Sequence, residues 1–201
     1  MSQLVLTADP LTTTTAGAFE YDGVAMYATP VSAQRGVVPT EQFIILQSAY
    51  TLVSQTAAQA MFNVPANGQV TLATGLYRFE CFYSLSSMSA SSGSFGFALG
   101  GTATIAQYWT ANARKSTLTD TAITNPPVYS YNTAANTGLT AANTVTTGFA
   151  NINGIISVSV AGTVIPQVSL GQPAAAVVGV ESFFRISPLG TTSVTSVGNW
   201  S

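Results

Sequence analysis

The feature that most constrains this chain is the alternation in residues 76–86, LYRFECFYSLS. Successive side chains of an extended strand point to opposite faces. Tyr77, Phe79, Cys81, Tyr83 and Leu85 therefore share one face, and Arg78, Glu80, Phe82 and Ser84 share the other. The first face is that of a core. The second places opposite charges side by side in a chain of which only 6% of residues are charged. A similar arrangement returns in residues 178–189, VGVESFFRISPL, where Gly179, Glu181, Phe183, Arg185 and Ser187 share a face. If both segments join one sheet, Arg78, Glu80, Glu181 and Arg185 form a charge cluster bordered by Phe82 and Phe183. A sheet face carrying aromatic and charged groups is seldom left bare to water, so a covering subunit is expected.

The rest of the chain also reads as β. Residues 43–53, 70–74, 94–99, 102–110, 144–149, 155–161, 164–170, 177–187 and 193–197 have the alternation or the β-branched and aromatic content of strands. Asn67-Gly68, residues 91–93 and Gly100-Gly101 supply turns between them. Residues 55–62, QTAAQAMF, carry an i, i+4 apolar spacing and are read as a short helical turn. Residues 114–142 are rich in Thr, Asn and Ala and include Asn125-Pro126-Pro127, which predicts long loops with Arg114 and Lys115 on a solvated surface. Many short strands at roughly 8–12-residue spacing mark a sandwich or barrel. The expectation for residues 40–201 is an all-β jelly-roll β-sandwich.

Residues 1–39 read differently. Residues 3–7, 18–21 and 24–28 are short alternating pieces, and Asp22-Gly23 between the last two is a hairpin signal. Pro10, Pro30, Pro39 and Gly36 punctuate the remainder. So thin a segment cannot bury its own apolar side chains, so it is expected to be a β-rich stalk or anchor that needs a partner. Phe19, Tyr21 and Tyr27 are its candidate attachment residues.

Histidine is absent, which removes the usual general base and the commonest metal ligand. The single cysteine, Cys81, alternates with aromatics and reads as a buried small hydrophobe, not a reactive thiol. Among seven carboxylates, Glu80 and Glu181 are the pair that a shared sheet would bring together, as a glycosidase needs. Each has an arginine on its own face, Arg78 two residues from Glu80 and Arg185 four from Glu181, which points to structural ion pairs instead. No catalytic residue, cofactor or metal site is expected. A net charge of −2 and a pI near 4.7 lack the basic footprint of a nucleic-acid binder. No apolar run reaches the ~18–20 residues of a membrane span, and the first residues lack the pattern of a secretory signal. Assembly in a cytoplasm is the expectation. Tyr129 and Tyr131, beside Pro126-Pro127, are candidate recognition residues, because tyrosine in a polar loop offers flat contact area at low entropic cost.

The run LTTTTAGAFEYDGVAMYATPVSAQRGVVPTEQF resembles the AGA-E-YDG…YxTP…RGV-P neck of bacteriophage tail-fibre and related virion proteins. FECFYSLSSMSASSGSFGFALGGTATI, VIPQVSLGQ and ESFFRISPLGTTSVTSVGNWS are similar to the domain behind that neck. Residues 114–143 match least. The resemblance implies a homotrimeric jelly-roll knob, of the kind shared with complement and tumour-necrosis-factor-like heads, on a short stalk. It carries no catalytic residues. In such a trimer one sheet faces the threefold axis, which would place Arg78, Glu80, Phe82, Glu181, Phe183 and Arg185 at the subunit interface.

Three functions follow as expectations. The first is a phage tail fibre or appendage on the virion surface, made in the bacterial host, whose outer loops contact a host glycan or protein. The second is a capsid decoration protein docked on other virion proteins through residues 1–39. The third is a glycan-active enzyme using Glu80 and Glu181.

Overall fold

The computed structural model describes residues 4–8, 14–31, 34–63, 66–115, 128–131 and 136–192, residues 128–131 by their backbone alone. The strands in chain order are β1 (Phe19–Tyr21), β2 (Met26–Val31), β3 (Gln34–Val38), β4 (Gln42–Ile45), β5 (Tyr50–Thr51), β6 (Gln59–Ala60), β7 (Val70–Leu72) and β8 (Gly75–Ser86). They continue as β9 (Phe95–Gly100), β10 (Thr104–Lys115), β11 (Val128–Tyr131), β12 (Thr137–Gly138), β13 (Gly148–Val160), β14 (Gly162–Leu170), β15 (Val177–Val178) and β16 (Phe183–Gly190). Apart from a 3-10 turn at Ala66–Gly68, the described residues hold no helix. The protein is all-β, and its pairings are antiparallel.

The alternating stretch became the centre of the larger sheet. β8 is flanked by β13 on one edge and by β15 and β16 on the other, with β4 and β5 outside these and β10 and β11 beyond β13. β9 and β14 form the middle of the smaller sheet, with β12, β6 and β7 at its sides. Tyr77, Phe79, Cys81, Tyr83 and Leu85 point into the gap between the sheets and are buried. Aromatic pairs cross that gap: Phe79 stacks on Phe97 at 6.4 Å between ring centres, Trp109 meets Phe97 edge-on at 5.3 Å, and Tyr83 meets Phe95 edge-on at 5.8 Å. Each such side chain contributes about 1.5–3 kcal/mol by leaving water. Burial pushes the Cys81 thiol and the Tyr83 phenol well above their ordinary pKa values, which suits packing and not reactivity.

Several elements differ from the sequence expectation. Residues 55–62 form no helical turn. β6 pairs with β14 there, and the adjacent Met61 and Phe62 are both fully buried. Burial of two neighbours by tertiary packing outweighs a short helical spacing. The turn at Gly68, with a φ of +69, packs closely on Phe62, since a Cβ there would stand 2.6 Å from the Phe62 Cβ. Residues 144–149 and 155–161 are not separate strands, because β13 runs without a break through Asn151, Asn153 and Gly154. β3 has no counterpart in the expectation. Residues 4–8 take no regular structure, and residues 193–197 lie outside the described residues.

Arg114 and Lys115 are not on a solvated loop. β10 continues to Lys115, and the inward parity of Trp109, Ala111 and Ala113 carries that lysine inside. Its ammonium donates to the carbonyls of Gly93 and of Asn143, the latter at 3.1 Å, where the chain enters β9 and leaves for β13. Burial lowers its pKa. Lys115→Ala is expected to cost about 1–3 kcal/mol, the price of stranding buried acceptors, in urea unfolding. A lysine whose native pKa lies below its unfolded value near 10.5 makes stability rise with pH across that interval. The midpoint should therefore rise as the pH climbs towards that unfolded value in the wild type, and less in Lys115→Met.

Candidate functional site

The outward parity of the larger sheet assembles one continuous face. β16 lies beside β8 with Phe183 opposite Phe82, Arg185 opposite Glu80 and Ser187 opposite Arg78. β13 sets Asn151, Asn153 and Ile155 opposite Phe82, Glu80 and Arg78. β4 adds Phe43 opposite Arg185, and β10 adds Tyr108 opposite Ile155. Phe183 stacks between Phe43 at 5.5 Å and Phe82 at 6.0 Å. Phe43 on β4, Phe149 and Ile155 on β13 and Tyr108 on β10 are 52%, 40%, 43% and 38% exposed. Four of the large apolar side chains left in water thus share this face.

Arg185 and Glu80 form the predicted ion pair, with Arg185 Nε donating to Glu80 Oε2 at 2.8 Å and the guanidinium Nη2 reaching the same oxygen. The pair closes within one chain, as a direct cross-strand contact. A carboxylate that the sequence reading did not place there, Glu41, stands 3.8 Å from Arg185 Nε. It enters because Thr40 and Glu41 lead directly into β4, the neighbour of β16; strand pairing across 140 residues carries no local signal. Glu181 does not join the cluster. It sits in the exposed turn between β15 and β16 at a φ of +68, with its backbone N–H donating to Leu46 O at 3.0 Å. The carboxylate pair required by the enzyme reading is therefore not assembled on β8 and β16. Arg78 is exposed and makes no ion pair among the described residues.

The amino-terminal sheet β1–β2–β3 folds against this sandwich. Asp22 in the predicted hairpin turn accepts from the Val24 and Ala25 amides at 2.8 and 2.7 Å through Oδ1. Its Oδ2 faces the Tyr27 hydroxyl at 2.9 Å and the Thr191 amide at 3.3 Å. Tyr27, fully buried, also lies 3.1 Å from the Leu189 carbonyl, and burial followed by the Asp22 carboxylate raises its pKa. Gly75 leaves room for Val24, whose Cγ1 would stand 2.8 Å from a Cβ there. Of the three candidate attachment residues, Tyr27 is consumed by this internal docking, Tyr21 lines a cleft at the seam and Phe19 is exposed. Glu20 and Arg35 tie β1 to β3 through two hydrogen bonds of 2.8 and 3.0 Å.

The backbone of Tyr129 and Tyr131 lies in β11, paired with Thr110 and Tyr108, and not in an irregular loop. Pro126 and Pro127 lie outside the described residues. Among the described residues no three His, Cys, Asp or Glu side chains gather to hold a metal ion, and no helix is long and apolar enough to cross a membrane.

Because Arg185 is 43% exposed and keeps Glu41 nearby, Glu80→Ala is expected to cost about 1 kcal/mol, and not the larger loss of a fully buried pair. The comparison of urea midpoints for Glu80→Ala and Arg185→Ala checks this; a loss several times larger in either would show that the cluster is sealed from water.

No protein-family model matches the chain, and neither a search of curated proteins nor one of solved structures finds a match.

Proposed function

We propose that this chain is a non-enzymatic structural protein of a bacteriophage particle, a homotrimeric jelly-roll appendage whose larger sheet meets its sister copies. The observation that carries the reading is the aromatic face: Phe43, Phe183, Phe82 and Phe149 present exposed or half-buried rings on one side of a sheet whose other side is a complete core. Rings left half in water on one continuous face are the composition of a subunit contact. Two further observations support it. The motifs of the neck and knob resemble those of virion fibres. In addition, leaving out the β1–β3 sheet and the β10–β11 hairpin, and taking β4 with β5, β6 with β7 and β15 with β16 as single positions, the described strands fill eight positions. The larger sheet runs first, eighth, third, sixth, and the smaller runs second, seventh, fourth, fifth. That interleaving supports the jelly-roll reading.

In this reading the Glu80–Arg185 pair sets the spacing of β8 and β16 inside each copy, and the phenylalanines make the contact. A second reading, capsid decoration, draws support from the amino-terminal sheet, which is folded against the sandwich by Tyr27 and Asp22 instead of standing free as a stalk. Host recognition is assigned in this reading to Tyr129 and Tyr131.

The test is the mass of the full chain by sedimentation, before and after Phe43→Ser with Phe183→Ser. Three copies are expected for the wild type and a folded monomer for the double variant. A wild type that is monomeric at micromolar concentration contradicts the reading. Counting the chain in purified particles then separates the two: few copies at the tail for a fibre, many over the head for decoration, and none for neither.

A further inference from the structure

The larger sheet has an open edge at β4. That strand pairs with β16 on one side, and among the described strands none lies on the other. No hydrogen bond among the described residues reaches the free side of Gln42–Ile45. Phe43, Ile44 and Ile45 favour strands, and the strand holds no proline and no charge that would deter a partner. Such an edge is a template for another strand. Further along the same edge, past β5, the fold closes it. There the Gln59 side chain accepts from the Val53 amide at 2.9 Å and donates to the Val53 carbonyl at 3.0 Å. Nothing of that kind covers β4.

The same chain holds a strand-like segment without a sheet. Residues 4–7, LVLT, alternate as a strand does, yet they take no regular structure and make no hydrogen bond among the described residues. Leu4 and Val5, 84% and 75% exposed, are the most exposed large apolar side chains of the described residues. Segment and edge match in length, at four residues each. They also lie at one end of the molecule. Ala8 stands 3.5 Å from where a Gly23 Cβ would be, and Gly23 and Gln42 line one cleft. Copies arranged around an axis can therefore present the segment of one to the edge of the next.

We propose that residues 4–7 of one copy add as a strand to β4 of its neighbour. The main chain supplies the hydrogen bonds, and the alternation places the side chains. Ile44 points to the core and is buried, whereas Phe43 points to the outer face. Leu4 and Leu6 then extend the core beside Ile44, and Val5 and Thr7 continue the outer face beside Phe43. Because the segment and the edge are different surfaces, the contact is heterologous and closes only as a ring. The inference rests on the self-association proposed above and adds the segment that links one copy to the next.

The test uses the full chain with Val5→benzoylphenylalanine, a photoreactive residue. Normal and heavy-nitrogen copies are mixed in urea, refolded together and irradiated. Cross-links to residues 42–45 joining a heavy to a light chain are expected. Hydrogen exchange gives the second readout. Edge-facing amides of β4 should exchange about tenfold or more faster in Val5→Pro with Leu6→Pro than in the wild type, because proline breaks the added strand. Links only within a chain, no links to residues 42–45, or equal exchange in the two proteins would overturn the proposal. The two readings fall separately. A trimer without these links keeps the aromatic contact and loses the strand addition. Heavy–light links in a chain whose mass survives Phe43→Ser with Phe183→Ser do the reverse.

Discussion

Everything in this molecule hangs on the register of β8. Its inner residues supply the middle of the core, and its outer residues supply Arg78, Glu80 and Phe82. A slip of one residue would carry the arginine and the glutamate into the gap between the sheets and expose the aromatics instead. Desolvating those charges costs several kcal/mol each, so the register is fixed by both faces at once. β13 and β16 inherit it, because each pairs with β8 along most of its length. The Glu80–Arg185 pair is a consequence of that inheritance, and Phe183 on Phe82 is another.

How much of this was legible depended on whether a residue's role was local. The alternation of β8, the hairpin at Asp22-Gly23 and the turn at Asn67-Gly68 are local, and they stand as read. Gly154 was not. Within Asn151–Ile152–Asn153–Gly154 the composition reads as a turn, yet the glycine is there because a Cβ would stand 2.4 Å from the Trp109 Cβ and 2.8 Å from the Phe79 ring. Lys115 shows the opposite failure. Its inward parity was in the sequence, continuing Trp109, Ala111 and Ala113, but a positive charge outweighed the pattern until the two carbonyls that receive it came into view. Glu41 and Glu181 exchanged roles for topological reasons. β4 brings Glu41 to Arg185, while a turn held by Leu46 removes Glu181 from the strand that the alternation had given it.

The amino-terminal sheet and the outer face divide the surface between them. Tyr27 and Asp22 settle the small sheet against the end of β16, at Leu189 and Thr191, which makes it part of the folded unit. The seam that results is concave and charge-balanced, whereas the aromatic rows further along β8 and β16 are apolar and broad. With only 6% charged residues the chain would meet little electrostatic repulsion in the proposed association.

The central claim is that sister copies cover the outer face of the larger sheet. Hydroxyl-radical footprinting of the full chain in solution tests it most directly, because Val53 and Val160, 62% and 57% exposed, serve as internal controls away from the aromatic rows. The account predicts that Phe43 and Phe149, though 52% and 40% exposed in one copy, are modified far more slowly than those valines after correction for intrinsic reactivity. Modification of the two phenylalanines at the rate their single-copy exposure implies would contradict it.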